Sequence, residues 1–216
     1  NDFAISIKMN SADFQKGGFS PEDSIQVAKL FSDSEIDNIE ISGGTYEQPR
    51  LLGLDKVSIN PKRSENRKES TIAREAYFLS YAEEIAKVVN IPLMVTGGFR
   101  TKEGMEAALA NGACEIVGVG RPLCANPYAI KELLAGQIDE LPKYEKTLSI
   151  GPGWLSPTSP FRLIQAINAF SAQAWFYQQI KKMGKGLMPD LTLKPWKAFR
   201  EDAKADQEAI KEYQNF

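Results

Sequence analysis

A strand-like run that hands over to a helical pattern, repeated along the first two thirds of the chain, most narrows what this sequence can fold into. Four such units are readable. The first strand is Phe3 to Asn10, and its helix opens at Ser20-Pro21-Glu22-Asp23. There Ser20 is the cap, Pro21 takes the first helical position and Asp23 completes a capping box. Ile25, Ala28 and Phe31 mark that helix's inner face. The second strand is Asn38 to Ser42, ending in Gly43-Gly44, and its helix carries Phe78, Tyr81, Ala82, Ile85, Val88 and Val89 at helical spacing. The third and fourth strands are Leu93 to Thr96 and Ile116 to Val119, with helices from about Thr101 to Ala110 and from about Pro127 to Leu134. This alternation argues for βα units and a parallel sheet, not a sandwich.

Two of the strand-to-helix joints are rich in glycine: Val95-Thr96-Gly97-Gly98-Phe99-Arg100 and Gly118-Val119-Gly120-Arg121-Pro122. Glycine lets backbone N–H groups approach an anion closely, a helix N-terminus adds a favourable dipole, and the Arg121 guanidinium grips phosphate oxygens with its fork of donors. Either stretch by itself is weak. Together, on successive joints, they read as a phosphate cradle of the kind a parallel barrel carries after its last two strands.

Composition sets the remaining bounds. A length of 216 residues with 43% hydrophobic content allows one sizeable core and excludes disordered or collagen-like readings. A net charge of -2 offers no electrostatic reason to expect nucleic acid or an anionic membrane as partner. Cys114 and Cys124 are two thiols in a chain that opens without a charged and apolar signal segment, which points to a reducing compartment, the cytoplasm. The chain has no histidine, which removes His-based triads, most zinc sites and the commonest general acid or base; no metal is expected. It starts at Asn1 and enters the first strand almost at once, as a processed or truncated product does.

Between the second strand and its helix, Thr45 to Ser70 holds Arg50, Lys56, Lys62, Arg63, Arg67 and Lys68. A solvated charged loop is the first expectation there and a lid touching a cofactor phosphate the second. Beyond Gly136 the βα rhythm stops. Gly151-Pro152-Gly153-Trp154 leads to a helix from about Phe161 to Met183, and a second helix runs from about Pro195 to Tyr213. Leu163 to Ile180 is uncharged, yet Gln165, Asn168, Gln173, Gln178 and Gln179 make it a poor bilayer span. Packing against the domain is the expected use of this helix, ahead of pairing with another subunit through Phe170, Trp175, Phe176 and Tyr177.

Alternation along the first strand puts Phe3, Ile5 and Ile7 on one face and Ala4, Ser6 and Lys8 on the other. Lys8 therefore faces away from the apolar layer. In a closed barrel that face is the interior, and Lys8 sits at the C-terminal end, where barrel enzymes keep their active sites. By the same counting Glu40 faces inward from the next strand, so an ion pair and a role in holding negative charge on a bound ring system both stand open. Cys124 reads as a small packed residue, and Tyr46 and Tyr77 as structural tyrosines.

Ile7-Lys8-Met9-Asn10-Ser11-Ala12-Asp13-Phe14, Glu40-Ile41-Ser42-Gly43-Gly44-Thr45-Tyr46, Arg74-Glu75-Ala76-Tyr77-Phe78, Thr96-Gly97-Gly98-Phe99-Arg100 and Gly120-Arg121-Pro122-Leu123 resemble the C-terminal half of the old yellow enzyme family. The resemblance runs from residue 3 to about residue 128 and weakens from Lys143 onward. Enzymes of that family are FMN-dependent NADH:flavin oxidoreductases on a (β/α)8 barrel. The resemblance therefore implies an α/β fold: four parallel βα units, the C-terminal half of a TIM barrel, spanning 1–136 with the FMN-phosphate cradle, and C-terminal helices over 137–216.

It also implies site residues. Lys8 matches the family's basic residue, more often arginine, beside the flavin pyrimidine edge. Gly97, Gly98, Gly120 and Arg121 match positions that hold the FMN phosphate. The implied reaction takes hydride from NADH or NADPH to FMN and on to an electron-poor alkene or another small-molecule acceptor. The histidine-containing pair that binds the substrate carbonyl, and the tyrosine that often donates a proton, lie on the first half of the family's barrel, and no residue here takes their place. Another phosphate-binding barrel enzyme, and a non-catalytic half-barrel that binds a phosphorylated ligand or a partner, are the alternatives.

Overall fold

A computed structural model describes residues 3–13, 17–42 and 79–214. The expected charged loop from Thr45 to Ser70, the glycines Gly43 and Gly44, and Tyr46, Tyr77 and Phe78 lie outside the described residues. Contacts gather the chain into two units, one running up to Gly120 and taking in Ile130–Leu141, the other formed by Arg121–Ala129 and the chain from Pro142 onward.

The first unit is built on β1 (Ser6–Asn10), β2 (Asn38–Ser42), β3 (Leu93–Thr96) and β4 (Ile116–Gly118), paired in parallel in the order β1-β2-β3-β4. Sequential order is that of consecutive strands in a (β/α)8 barrel; a doubly wound sheet reverses direction at a switch point. Helices α1 (Pro21–Ser32), α2 (Leu79–Ala86) and α3 (Lys102–Ala110) follow the first three strands. Because side chains alternate, each strand offers one row to these helices. Ile39, Ile41, Leu93 and Val95 are buried in one core with Met9, Ala28, Ala82, Ile85, Phe99 and Ala108. Each such large aliphatic side chain contributes roughly 1.5–3 kcal/mol by leaving water.

Local chemistry accounts for most boundaries. Ser20 Oγ accepts from the Asp23 N–H at 3.1 Å and Asp23 Oδ2 from the Ser20 N–H at 2.9 Å, the reciprocal pair that starts α1. Thr101 caps α3 by accepting from the Gly104 N–H at 3.1 Å. Two strand ends differ from expectation. β1 begins at Ser6 and not at Phe3, because β2 offers its first rung to Ser6 through Asn38. Phe3 is 81% exposed, and Ile5 is tied by its N–H to Asp37 Oδ2 at 2.7 Å. β4 stops at Gly118 and not Val119, since Thr96, the last residue of β3, is the partner of Gly118.

The second unit opens with a helix the sequence pattern did not show, α4 (Arg121–Ala125); the helix expected from Pro127 is α5 (Ala129–Leu134), which from Ile130 on belongs to the first unit. Five residues are too few to display a 3.6-residue period. Next come two short 3-10 turns, Tyr144–Lys146 and Gly153–Leu155, then α6 (Arg162–Met183) and α7 (Pro195–Gln214). Trp175 of α6 is buried with Ala125, Leu148, Ala174 and Ala198; its indole N–H donates to the Leu193 carbonyl at 2.9 Å.

The amides of α6 are fasteners for neighbouring loops. Asn168 Oδ1 accepts from the Ile150 N–H at 3.0 Å, while its amide nitrogen donates to the Leu155 and Ile164 carbonyls, both at 2.8 Å. Gln179 Oε1 accepts from the Asp190 N–H at 2.7 Å. Among the described residues no helix is long and apolar enough to cross a membrane.

Candidate functional site

The face of the sheet turned away from α1–α3 carries Ser6, Lys8 and Asn10 from β1, Asn38, Glu40 and Ser42 from β2, Met94 and Thr96 from β3, and Ile116 and Gly118 from β4. One row across it is Lys8, Glu40, Met94 and Ile116. The next row, two residues toward the C-terminal ends and so about 7 Å away, includes Asn10, Ser42, Thr96 and Gly118. The face is divided in character: hydrogen-bonding along β1 and β2, largely apolar along β3 and β4. Ser6 Oγ donates to Asn38 Oδ1 at 2.7 Å, and the Asn10 amide nitrogen donates to Asp13 Oδ1 at 3.1 Å.

Lys8 stands where the alternation of its strand puts it, off the apolar layer, and the parallel register sets it directly opposite Glu40. Its ammonium donates to Glu40 Oε1 at 2.7 Å, a charge-assisted distance. The Lys8 side chain is 56% exposed and that of Glu40 19%.

Both glycine joints leave neighbouring strands from one rung, since Thr96 pairs with Gly118. After Thr96 the chain turns through Gly97 at φ +156° and Gly98 at φ +80°, conformations a side chain disfavours. The turn is pinned on its far side. Phe99 and Arg100 are buried, Arg100 Nη1 donates to the Phe99 carbonyl at 2.7 Å, and the Arg100 carbonyl accepts from the Leu141 N–H at 2.7 Å. On the other joint the two glycines differ. A Cβ on Gly118 would run into Thr96 Oγ1 and lie 2.7 Å from Met94 Cε, whereas a Cβ on Gly120 would meet nothing within 4 Å. Gly118 is thus a packing glycine, set by Thr96, and Gly120 borders open space. The hydroxyl of Thr96 is buried without a hydrogen-bond partner.

Arg121, next in the chain after Gly120, opens α4; its Nη1 lies 3.8 Å from Glu145 Oε1, an ion pair within the second unit. Cys124 is half-buried on the same helix. Burial pushes its thiol up, against a smaller downward pull from the Arg121 charge, so it stays protonated near neutrality. Burial likewise raises the Cys114 thiol, with the Glu115 charge adding to it. No group of three or more His, Cys, Asp or Glu among the described residues is placed to hold a metal ion.

A phosphate monoester with a polar-edged ring fits what these residues provide. Gly97 and Gly98 are half-buried and lead toward a capped helix of nine residues, Gly120 leaves space free, and Lys8 is a cation one row deeper on the same face of the sheet. The sequence pattern singles out each of these residues as a candidate. It does not show the role of Thr96, because nothing in the local pattern says that its side chain lies over a glycine on the next strand.

No protein-family model matches the chain. It is 38% identical over 139 residues to the NADH-dependent flavin oxidoreductase iliE of Hypocrea jecorina (strain QM6a), which covers 62% of this chain and 32% of that protein. It is 30% identical over 184 residues to the NADH oxidase of Thermoanaerobacter brockii, 84% of this chain and 25% of that one. The chain thus spans about a third or less of the length of these relatives. Among solved structures, 2-naphthoyl-CoA reductase in complex with 2-naphthoyl-CoA overlaps 62% of this chain and 19% of its own, with a TM-score of 0.47 and 24% identity.

Proposed function

We propose that this chain is part of an FMN-dependent oxidoreductase of the old yellow enzyme type, similar to the NADH-dependent flavin oxidoreductase and NADH oxidase above, and that it holds FMN by its phosphate and its pyrimidine edge. The observation that carries the reading is the pair of glycine joints leaving β3 and β4 from one rung, with Lys8 on the same face one row below. FMN supplies hydride chemistry when bound: it accepts hydride from NADH or NADPH and passes it to an electron-poor alkene or another small acceptor.

The protein's part is binding and electrostatics. Backbone N–H groups at Gly97 and Gly98 would donate to phosphate oxygens, Gly120 would keep side-chain bulk away, and Arg121, next in the chain, would add a charge-assisted contact. Lys8 would lie at the pyrimidine edge, where its ammonium would stabilise the negative charge of the reduced form. Substrate-binding and proton-donating groups are assigned to no residue of this chain, which contains no histidine. A cytoplasmic setting, supported by the two free cysteines, and association of copies through α6 and α7 belong to the same reading.

The test is flavin content. Protein purified from its full coding sequence is expected to show flavin absorbance, release FMN on denaturation, and oxidise NADH or NADPH when an enone is supplied. A colourless protein that binds inorganic phosphate but not FMN would point instead to a barrel with other chemistry.

A further inference from the structure

Among the described residues, the open face of the sheet carries one cation, Lys8, and one anion, Glu40, and they are bonded to each other at 2.7 Å. Beside them on β3 and β4 stand Met94 and Ile116, and along β1 and β2 the uncharged Ser6, Asn38, Asn10 and Ser42. The face therefore presents a neutral pair, not a free positive charge. Within the pair the carboxylate is the fixed member. Its side chain is 19% exposed against 56% for Lys8, whose four-carbon stem swings freely unless held.

We infer that Glu40 is a positioning and charge-balancing residue for Lys8, and that it sets how strongly this face favours a reduced, more negative flavin over the oxidised one. The inference rests on the reading of Lys8 as a flavin contact. Holding the ammonium on the β1–β2 ladder fixes the direction from which its charge acts, while the carboxylate cancels part of that charge. Removing the carboxylate's charge but keeping its oxygen acceptor separates these two effects. In Glu40→Gln the amide oxygen still accepts from the ammonium, so Lys8 stays in place and its charge is no longer balanced.

The experiment is an anaerobic redox titration of the FMN-loaded protein made from its full coding sequence, with FMN affinity measured by fluorescence. Glu40→Gln is expected to strengthen binding of reduced relative to oxidised FMN about tenfold, a midpoint rise of about 30 mV for a two-electron couple. Lys8→Met is expected to move the potential the other way. Glutamine nearly matches glutamate in shape, and a circular dichroism melt of the variant checks folding. Wild-type protein that takes up no FMN overturns the functional reading and this inference with it. If FMN binds and Lys8→Met shifts the potential, but Glu40→Gln leaves it unchanged or lowers it, the inference about Glu40 alone is wrong.

Discussion

The side chain of Thr96 lies across Gly118 on the neighbouring strand, filling the space where any other residue at that position would place its Cβ. Threonine is β-branched and stiff at χ1, so it cannot swing aside as the Met94 methyl can. The contact sits on the rung from which both glycine joints depart, and the packing of β3 on β4 thereby sets where those joints begin.

Gly118→Ala is expected to destabilise the protein by about 1–3 kcal/mol through overpacking. Gly120→Ala, with nothing within 4 Å of its new methyl, is expected to leave stability almost unchanged. Urea denaturation of the two variants makes the comparison. Equal midpoints would show that Thr96 yields at little cost.

Arg121→Ala is expected to weaken FMN binding by about 1.5–3 kcal/mol, roughly ten- to a hundredfold, by removing a charge-assisted phosphate contact. A fluorescence titration gives the dissociation constant, and an unchanged value would remove Arg121 from the cradle.

The box that starts α1 makes stability depend on pH in a defined direction. The Ser20 backbone N–H, and after it the Ser20 hydroxyl, hold the Asp23 carboxyl below its ordinary value. A carboxyl lowered in the folded state stabilises fully above its unfolded value, about 3.9, and this contribution is lost as pH falls through the folded value. Asp23→Asn is therefore expected to lower the melting temperature at neutral pH and to match wild type once the pH is below both values. A gap between the two proteins that persists in acid would assign the effect to something other than the carboxylate.

Cys124 and Cys114 are both expected to react slowly with Ellman's reagent at neutral pH, because burial keeps the two thiols protonated. Cys114, 3% exposed, should be the slower and should react only as the protein unfolds. Stoichiometric modification of both within seconds in native buffer would contradict the burial assigned to them.

What the sequence determined by itself was whatever depends on near neighbours or on a short period. Ser20, Pro21 and Asp23 start α1 because a cap needs only residues three apart; β2 and β3 fall at Asn38–Ser42 and Leu93–Thr96 because alternation shows within four or five residues. Lys8 and Glu40 could be foreseen on one face, since two parallel neighbouring strands with period two leave a single choice of side. Tertiary structure decided what depends on register and on which surface meets which. Phe3 has no rung on β2, α4 is too short to carry a period, and the amides of Asn168 and Gln179 are buried because loops from elsewhere in the chain place backbone N–H groups against them. Gly118 is the clearest such case: its need for a missing side chain comes from Thr96, 22 positions earlier, and only strand pairing brings a residue that distant to within van der Waals contact.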